Sequence, residues 1–290
     1  MRIDFHTHIF PEAIAARTIA KLEKSARTAS YADGTADGLR ASMAQADIDY
    51  SVILPVVTRP GQTDTVNRVA IDTNDHHEET GLISLGGIHP DNGDYRRILR
   101  SLSENGIRGI KLHPVYQQTD FDDIRYMRII DCACENGLII VTHAGYDISF
   151  PEESQVTPEH ILPVLDAVKP DKLVLAHMGG WRCWDEVERN LAGAPVWLDT
   201  SFTISPIRPA KDTLRSPEES HTLSLEQFCR IIRKHGCERI LFGSDSPWSS
   251  QKESVDLLAG SGLTPKEYTA ILEKNGEKLL PISCQTSASR

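Results

Sequence analysis

Short apolar runs bounded by turn formers recur along the whole of this 290-residue chain. Eight of them, residues 2–5, 51–57, 82–88, 107–112, 138–142, 172–176, 196–200 and 239–243, are rich in Val, Ile and Leu and read as buried parallel strands. Segments with helical periodicity lie between them. In 123–136, Ile124, Met127 and Ile130 recur three apart before Gly137 stops the pattern, and Thr157-Pro158-Glu159 reads as an N-cap followed by proline in the first turn. The connection 9–49 has room for two helices. Strand alternating with helix eight times predicts an α/β fold, a (β/α)8 TIM barrel forming a single domain over 1–280. The polar, Ser-rich segment 281–290 is expected to fray.

Catalytic groups of such barrels come from the C-terminal ends of different strands. Here the apolar runs lead into His6-Thr7-His8, Ile88-His89-Pro90, Gly109-Ile110-Lys111-Leu112-His113-Pro114, Thr142-His143-Ala144-Gly145, Ala176-His177-Met178-Gly179-Gly180 and Phe242-Gly243-Ser244-Asp245-Ser246-Pro247. Residues two apart in an extended strand share a face, so His6 and His8 can address one ion. A His-x-His pair alone says little. Followed in order by strand-terminal Lys, His, His and Asp, it describes a catalytic metal centre, since neutral imidazoles and a carboxylate are usual ligands of catalytic Zn²⁺.

Charge and composition narrow the partners. The 31 basic residues against 41 acidic ones leave a formal charge of −10, which disfavours nucleic acid and anionic membrane surfaces. No run approaches the roughly 18 apolar residues of a membrane span, and no secretory pattern opens the chain, so a cytoplasmic enzyme acting on a small molecule is expected. The six cysteines lack Cys-x-x-Cys spacing and read as reduced structural thiols. His76, His77, His160, His221 and His235 fall in helix or loop contexts and are expected at the surface.

These motifs, in this order from Arg2 to about Leu280, resemble the amidohydrolase superfamily, and within it the amidohydrolase-2 group of small metal-dependent hydrolases and aminocarboxymuconate semialdehyde decarboxylase relatives. The resemblance implies that His6, His8, His143 and Asp245 hold a metal, Zn²⁺ or another divalent transition ion, with Asp245 also handling the proton of water. It implies that His177 is a catalytic acid/base or electrophilic group in a one-metal site and a ligand in a two-metal site. Lys111 stands where two-metal members carry a carboxylated, bridging lysine. Many single-metal relatives also have a lysine near this position, and one ion is the preferred reading. Relatives are often dimers, so a homodimer is among the expected states.

Other candidates have lesser roles. His89 and His113, each before a proline, read as supporting or loop-fixing residues, Asp199 as the orienter of a ligand histidine, and Trp181, Trp184 and Trp248 as packing, with Trp248 able to wall the pocket. Lys111 could pair with an acidic neighbour or a substrate carboxylate; Arg59, Tyr116, Tyr146, Arg208 and Lys211 are further candidates for gripping one. The expected activity is attack of activated water on an amide, ester or lactone carbonyl. The rival is decarboxylation of an unsaturated or aromatic acid, disfavoured because Ile3-Asp4-Phe5 stands where many decarboxylases of the group place a glutamate. A non-catalytic binder is a third class, set aside because the ligand set is intact. Substrate choice is expected to reside in the long loops 146–158 and 201–222.

Overall fold

The computed structural model describes residues 1–282; the expectation for 281–290 falls almost wholly outside the described residues. The strands are β1 (Ile3–Thr7), β2 (Tyr50–Ile53), β3 (Leu82–Ser84), β4 (Gly86–Gly87), β5 (Gly109–Leu112), β6 (Ile139–Thr142), β7 (Leu173–Leu175), β8 (Trp197–Asp199) and β9 (Ile240–Leu241). All pair in parallel with their sequence neighbours, in a three-stranded sheet β1-β2-β3 and a six-stranded sheet β4 to β9. The seam between β9 and β1 is stitched by Phe5 N–H to Phe242 O at 2.8 Å, His8 N–H to Ser246 O at 2.7 Å and Asp245 N–H to His6 O at 2.8 Å. This is the parallel α/β architecture of a TIM barrel.

The run 82–88 is broken at Leu85 into β3 and β4, where the sequence suggests one strand. Side chains take over its ladder bonds: Asn74 accepts Ser84 N–H at 2.6 Å, and Asn67 accepts Gly87 N–H at 2.8 Å. A side chain on Gly87 would run into Val57, which explains the glycine.

The strands face two ways. Phe5, Val52, Leu54, Ile83, Leu85, Val141, Val174, Trp197 and Leu241 form an inner cluster closed by Leu279 and Leu280. Ile53, Leu82, Ile110, Leu112, Ile140, Leu173, Leu175, Leu198 and Ile240 pack outward with the helices. Burial on both faces is why the runs are continuously apolar. The stretch 9–49 contains the two expected helices, Glu12–Ala26 and Ala36–Ala46; Ile124–Glu135 follows the periodicity read in 123–136, and Pro158–Ala167 starts after Thr157 as expected, with Pro158 in the first turn and no capping bond from the Thr157 side chain. Among the described residues no helix is long and apolar enough to cross a membrane.

Strand β1 carries an irregularity that matters for the site. Asp4 pairs with Ser51 and Thr7 with Ile53, so three steps on β1 oppose two on β2. The extra residue changes the face that successive side chains occupy. Before it, Phe5 lies in the barrel cluster and Asp4 bonds outward to Gln251 at 2.8 Å; after it, His6 and His8 meet at the barrel mouth.

One histidine contradicts the surface expectation. His235 is buried: its Nε2–H donates to Val196 O at 2.9 Å, and its Nδ1 accepts Gly193 N–H at 3.2 Å. At the last turn of helix Leu225–His235, it closes the helix end against the preceding connection. His76 and His221 are exposed, His77 and His160 half-buried. Among the described cysteines all are free thiols.

Candidate metal centre

Strand ends β1, β5, β6, β7, β8 and β9 gather the motif residues at one mouth of the barrel. His6 Nε2 lies 3.2 Å from His8 Nε2, and Asp245 Oδ1 lies 3.2 Å from His8 Nε2 and 3.6 Å from His6 Nε2. These three residues form one grouping able to hold an ion. Asp245 sits at φ 69°, in the left-handed region that non-glycine residues seldom occupy, which is consistent with a side chain held in a functional orientation.

The outer hydrogen bonds decide what the inner nitrogens present. His8 Nδ1 faces the Leu54 carbonyl at 2.8 Å and His6 Nδ1 faces the Asp199 carboxylate at 2.8 Å, so both rings carry their proton on Nδ1 and turn a bare Nε2 inward. His177 Nδ1 faces Ser201 O at 2.9 Å, which leaves its Nε2 bare. His143 Nε2 faces Tyr146 O at 3.1 Å, which leaves its Nδ1 bare, and that atom meets His177 Nε2 at 3.1 Å. Lone pairs therefore confront one another in two places with no proton between them. A cation relieves that repulsion. Zn–N arms of about 2.0–2.1 Å at a tetrahedral angle would put ligand atoms about 3.3 Å apart, close to the separations found here. The donor set fits a divalent metal.

Burial favours the neutral imidazoles that ligation requires. It pulls His6 down to about 4, with the Lys111 cation adding to the effect, and it lowers His177 and His143, the latter well below the usual range. Burial would raise Asp199, but the facing His6 and the hydrogen bonds to it overcome this and hold the carboxyl below its ordinary value. Asp245 is likewise kept low against burial, by His8 first and His6 next.

Asp199 does more than orient one histidine. Its Oδ1 accepts the backbone N–H of His177 and of Ser201, both at 3.0 Å, while its Oδ2 takes His6. The His177 turn, with His177 and Met178 at φ 57° and 55°, is further held by Trp184 Nε1–H to His177 O at 3.0 Å. Gly145 locks the neighbouring loop: Trp181 N–H donates to Ala144 O at 2.9 Å and Tyr146 N–H to Trp181 O at 3.0 Å, so close that a Cβ on Gly145 would strike Trp181 backbone at 2.2 Å. That contact sets His143 against His177.

The predicted ligands are thus not placed alike. His6, His8 and Asp245 converge, whereas His143 lies against His177, whose ring centre is 5.2 Å from that of His6. Lys111 is buried among them, and burial lowers its amine to about 8, partly offset by Asp199 and Asp245. His113 stacks between Tyr116 at 4.1 Å and His143 at 4.4 Å. His113, His143 and Asp147 form a second grouping. Because His113 Nδ1 accepts Tyr116 N–H at 3.4 Å, its Nε2 carries the proton and points a donor, not a lone pair, toward Asp147 at 3.7 Å. His89 accepts Asp91 N–H at 3.1 Å and fixes its own loop. Trp181 and Trp184 are buried packing, and Trp248 is half-buried. Arg59 and Lys211 are exposed, and exposed Arg208 stacks on Tyr31 at 3.9 Å.

Four residues were not legible as site residues. Asp147 is buried and pushed up to about 6 by its burial. Ser201 donates to Asp199 and lies 3.0 Å from both His6 Nδ1 and His177 Nδ1. Asp4 accepts His6 N–H at 3.1 Å, Ser244 N–H at 2.9 Å and the Ser244 hydroxyl, tying β1 to the turn that bears Asp245. Gln251 adds its amide to Asp4 at 2.8 Å. Asp4 and Ser201 do stand two residues from His6 and Asp199, the sequence signal nearest to hand.

Comparison with solved structures bears out the barrel. An uncharacterized TIM-barrel protein from Bordetella bronchiseptica superposes with TM-score 0.72 at 18% identity, covering 96% of this chain and 98% of that one. A candidate 2-pyrone-4,6-dicarboxylic acid hydrolase from Pseudomonas putida gives 0.64 at 18%, covering 96% of each. The 5-carboxyvanillate decarboxylase of Sphingomonas paucimobilis gives 0.65 at 15%, covering 97% and 99%. No curated protein matches the sequence. The amidohydrolase family model, however, matches residues 3–282, nearly the whole chain, and the protein belongs to that family.

Proposed function

We propose that this chain is a metal-dependent hydrolase that directs water onto the carbonyl carbon of a small molecule, an amide, ester or lactone. The observation that carries the reading is Asp245, a buried carboxylate kept ionised, 3.2 Å from the bare Nε2 of His8. A divalent metal held by His6, His8 and Asp245, with His143 completing the set, would supply Lewis-acid polarisation of the carbonyl and of water. Asp245 accepts the proton of the attacking water and returns it to the leaving atom. His177 has its Nδ1 proton engaged by Ser201 O and offers Nε2 to a proton; once protonated there, it can donate to a developing oxyanion. Asp199 keeps His6 and His177 in place through both exchanges.

Decarboxylation is the second reading, since fold neighbours include 5-carboxyvanillate and 2,6-dihydroxybenzoate decarboxylases as well as the candidate pyrone hydrolase. Against it, the acidic residue just before His6 is Asp4, whose oxygens are engaged by His6 N–H, Ser244 and Gln251. We place the enzyme in the cytoplasm, working on a free small molecule as a homodimer. The test is a screen of lactones, amides and unsaturated acids in H₂¹⁸O. Hydrolysis puts ¹⁸O into the product acid; release of CO₂ with no such incorporation would replace the hydrolase by the lyase.

A further inference from the structure

Lys111 ends strand β5 with 1% of its surface exposed, and among the described residues its amine has no hydrogen bond or ion pair. A buried cation without an acceptor is costly, and each such group calls for an explanation. Of the two carboxylates whose charge reaches it, Asp199 is already engaged, its Oδ1 by two backbone N–H groups and its Oδ2 by His6, while Asp245 belongs with His6 and His8 to the grouping able to hold an ion. Two residues along the same strand end, His113 presents Nε2–H, and its nearest carboxylate oxygen, on Asp147, is 3.7 Å away, beyond hydrogen-bond reach. The mouth of the barrel is therefore polarised. Bare acceptors of His6, His8 and Asp245 lie on one side, and the unmet donors of Lys111 and His113 come from β5.

We infer that Lys111, with His113 beside it, docks a carboxylate of the substrate, so that the enzyme acts on small organic acids whose reactive carbonyl lies toward Asp245. This rests on the reading of the site as a small-molecule carbonyl centre. A carboxylate offers two acceptor oxygens and one negative charge, which matches one ammonium and one imidazole N–H. A phosphate dianion would need more positive charge than the single lysine provides.

The test measures binding, not turnover. Protein as purified is titrated calorimetrically with acetate, benzoate and glutarate, each against its amide, and with inorganic phosphate. We expect at least one acid to bind about tenfold or more tightly than its amide, and Lys111→Met to abolish that preference while leaving the amide unchanged. Lys111→Gln, which keeps donors but not charge, should fall likewise, and if neither variant folds by circular dichroism the parent's acid-to-amide ratio decides. The inference is overturned if no acid outbinds its amide, if phosphate outbinds every acid, or if Lys111→Met keeps the preference, which would place the carboxylate on the metal alone. It is also overturned if ¹³C-bicarbonate labels Lys111 as a carbamate in a protein holding two ions. Acid binding through Lys111 without any hydrolysis would remove the hydrolase reading alone. Hydrolysis of neutral lactones untouched by Lys111→Met would remove only the acid docking.

Discussion

His6 and Asp199 are joined by a 2.8 Å Nδ1–Oδ2 hydrogen bond although 193 residues separate them in the chain. The same carboxylate holds the backbone of His177 and Ser201, so one buried anion fixes a ring on β1 and the turn after β7. Partners of this kind set both the tautomer and the direction of a ligand histidine.

Asp199→Ala should therefore weaken metal binding by about 10- to 100-fold, by freeing the His6 ring and loosening the His177 turn, while leaving His8 and Asp245 in place. Competition against a chelator of known affinity reads this directly. An affinity unchanged within about threefold would show that the Asp199 bond is not a determinant of the site.

Removing both bare nitrogens on β1 should be more severe. His6→Ala with His8→Ala is expected to bring metal content, by elemental analysis, from at least one ion per chain to a small fraction of that. Full retention would move the ion away from the His6, His8 and Asp245 grouping.

Asp245→Asn keeps the shape of the side chain and removes its ability to take a proton. Turnover of the substrate found in the ¹⁸O screen should fall by at least about 100-fold, the lower end of what a general acid/base contributes. Circular dichroism and metal content separate this from unfolding or ion loss. A folded, metal-loaded variant with activity near that of the parent would exclude Asp245 from proton transfer.

His235 supplies a pH signature remote from the metal. Burial lowers its imidazole to about 4 from an ordinary 6.5, so between these values the unfolded chain binds a proton that the folded chain refuses. Its contribution is present above about pH 6.5 and lost as pH falls toward 4, on the order of 3 kcal/mol over the whole window. Asp4 and Asp147, raised by burial to about 6, act in the opposite sense, gaining stability as pH falls through 6. Comparison with His235→Gln isolates the histidine: urea midpoints measured from pH 7 to pH 5 should fall more steeply in the parent. Equal slopes would show that His235 does not titrate with folding.

The barrel and most of its site residues are legible in the chain alone because their signals are local. Eight apolar runs can be counted, and at the end of seven of them, all but 51–57, a histidine or aspartate is visible without knowing where the run lies. The helix start at Thr157-Pro158 is equally local, set by residues within one helical turn. What the sequence could not decide depends on atoms distant in the chain. The extra residue in β1 sends Asp4 outward and His6 inward through pairing with β2, against the simple alternation that two-residue spacing suggests. The break at Leu85 follows from Asn67 and Asn74 taking over strand bonds, and the burial of His235 from its contacts with Val196 and Gly193. Which nitrogen His6, His8 and His177 turn inward was settled by Asp199, Leu54 and Ser201, residues that share no motif with the rings they orient; only His143 takes its partner, Tyr146 O, from nearby in the chain. Residue type and spacing thus determined which groups reach the mouth of the barrel, while tertiary hydrogen bonding decided which lone pairs meet there, because a tautomer is set by its partner and partners are assembled only by the fold.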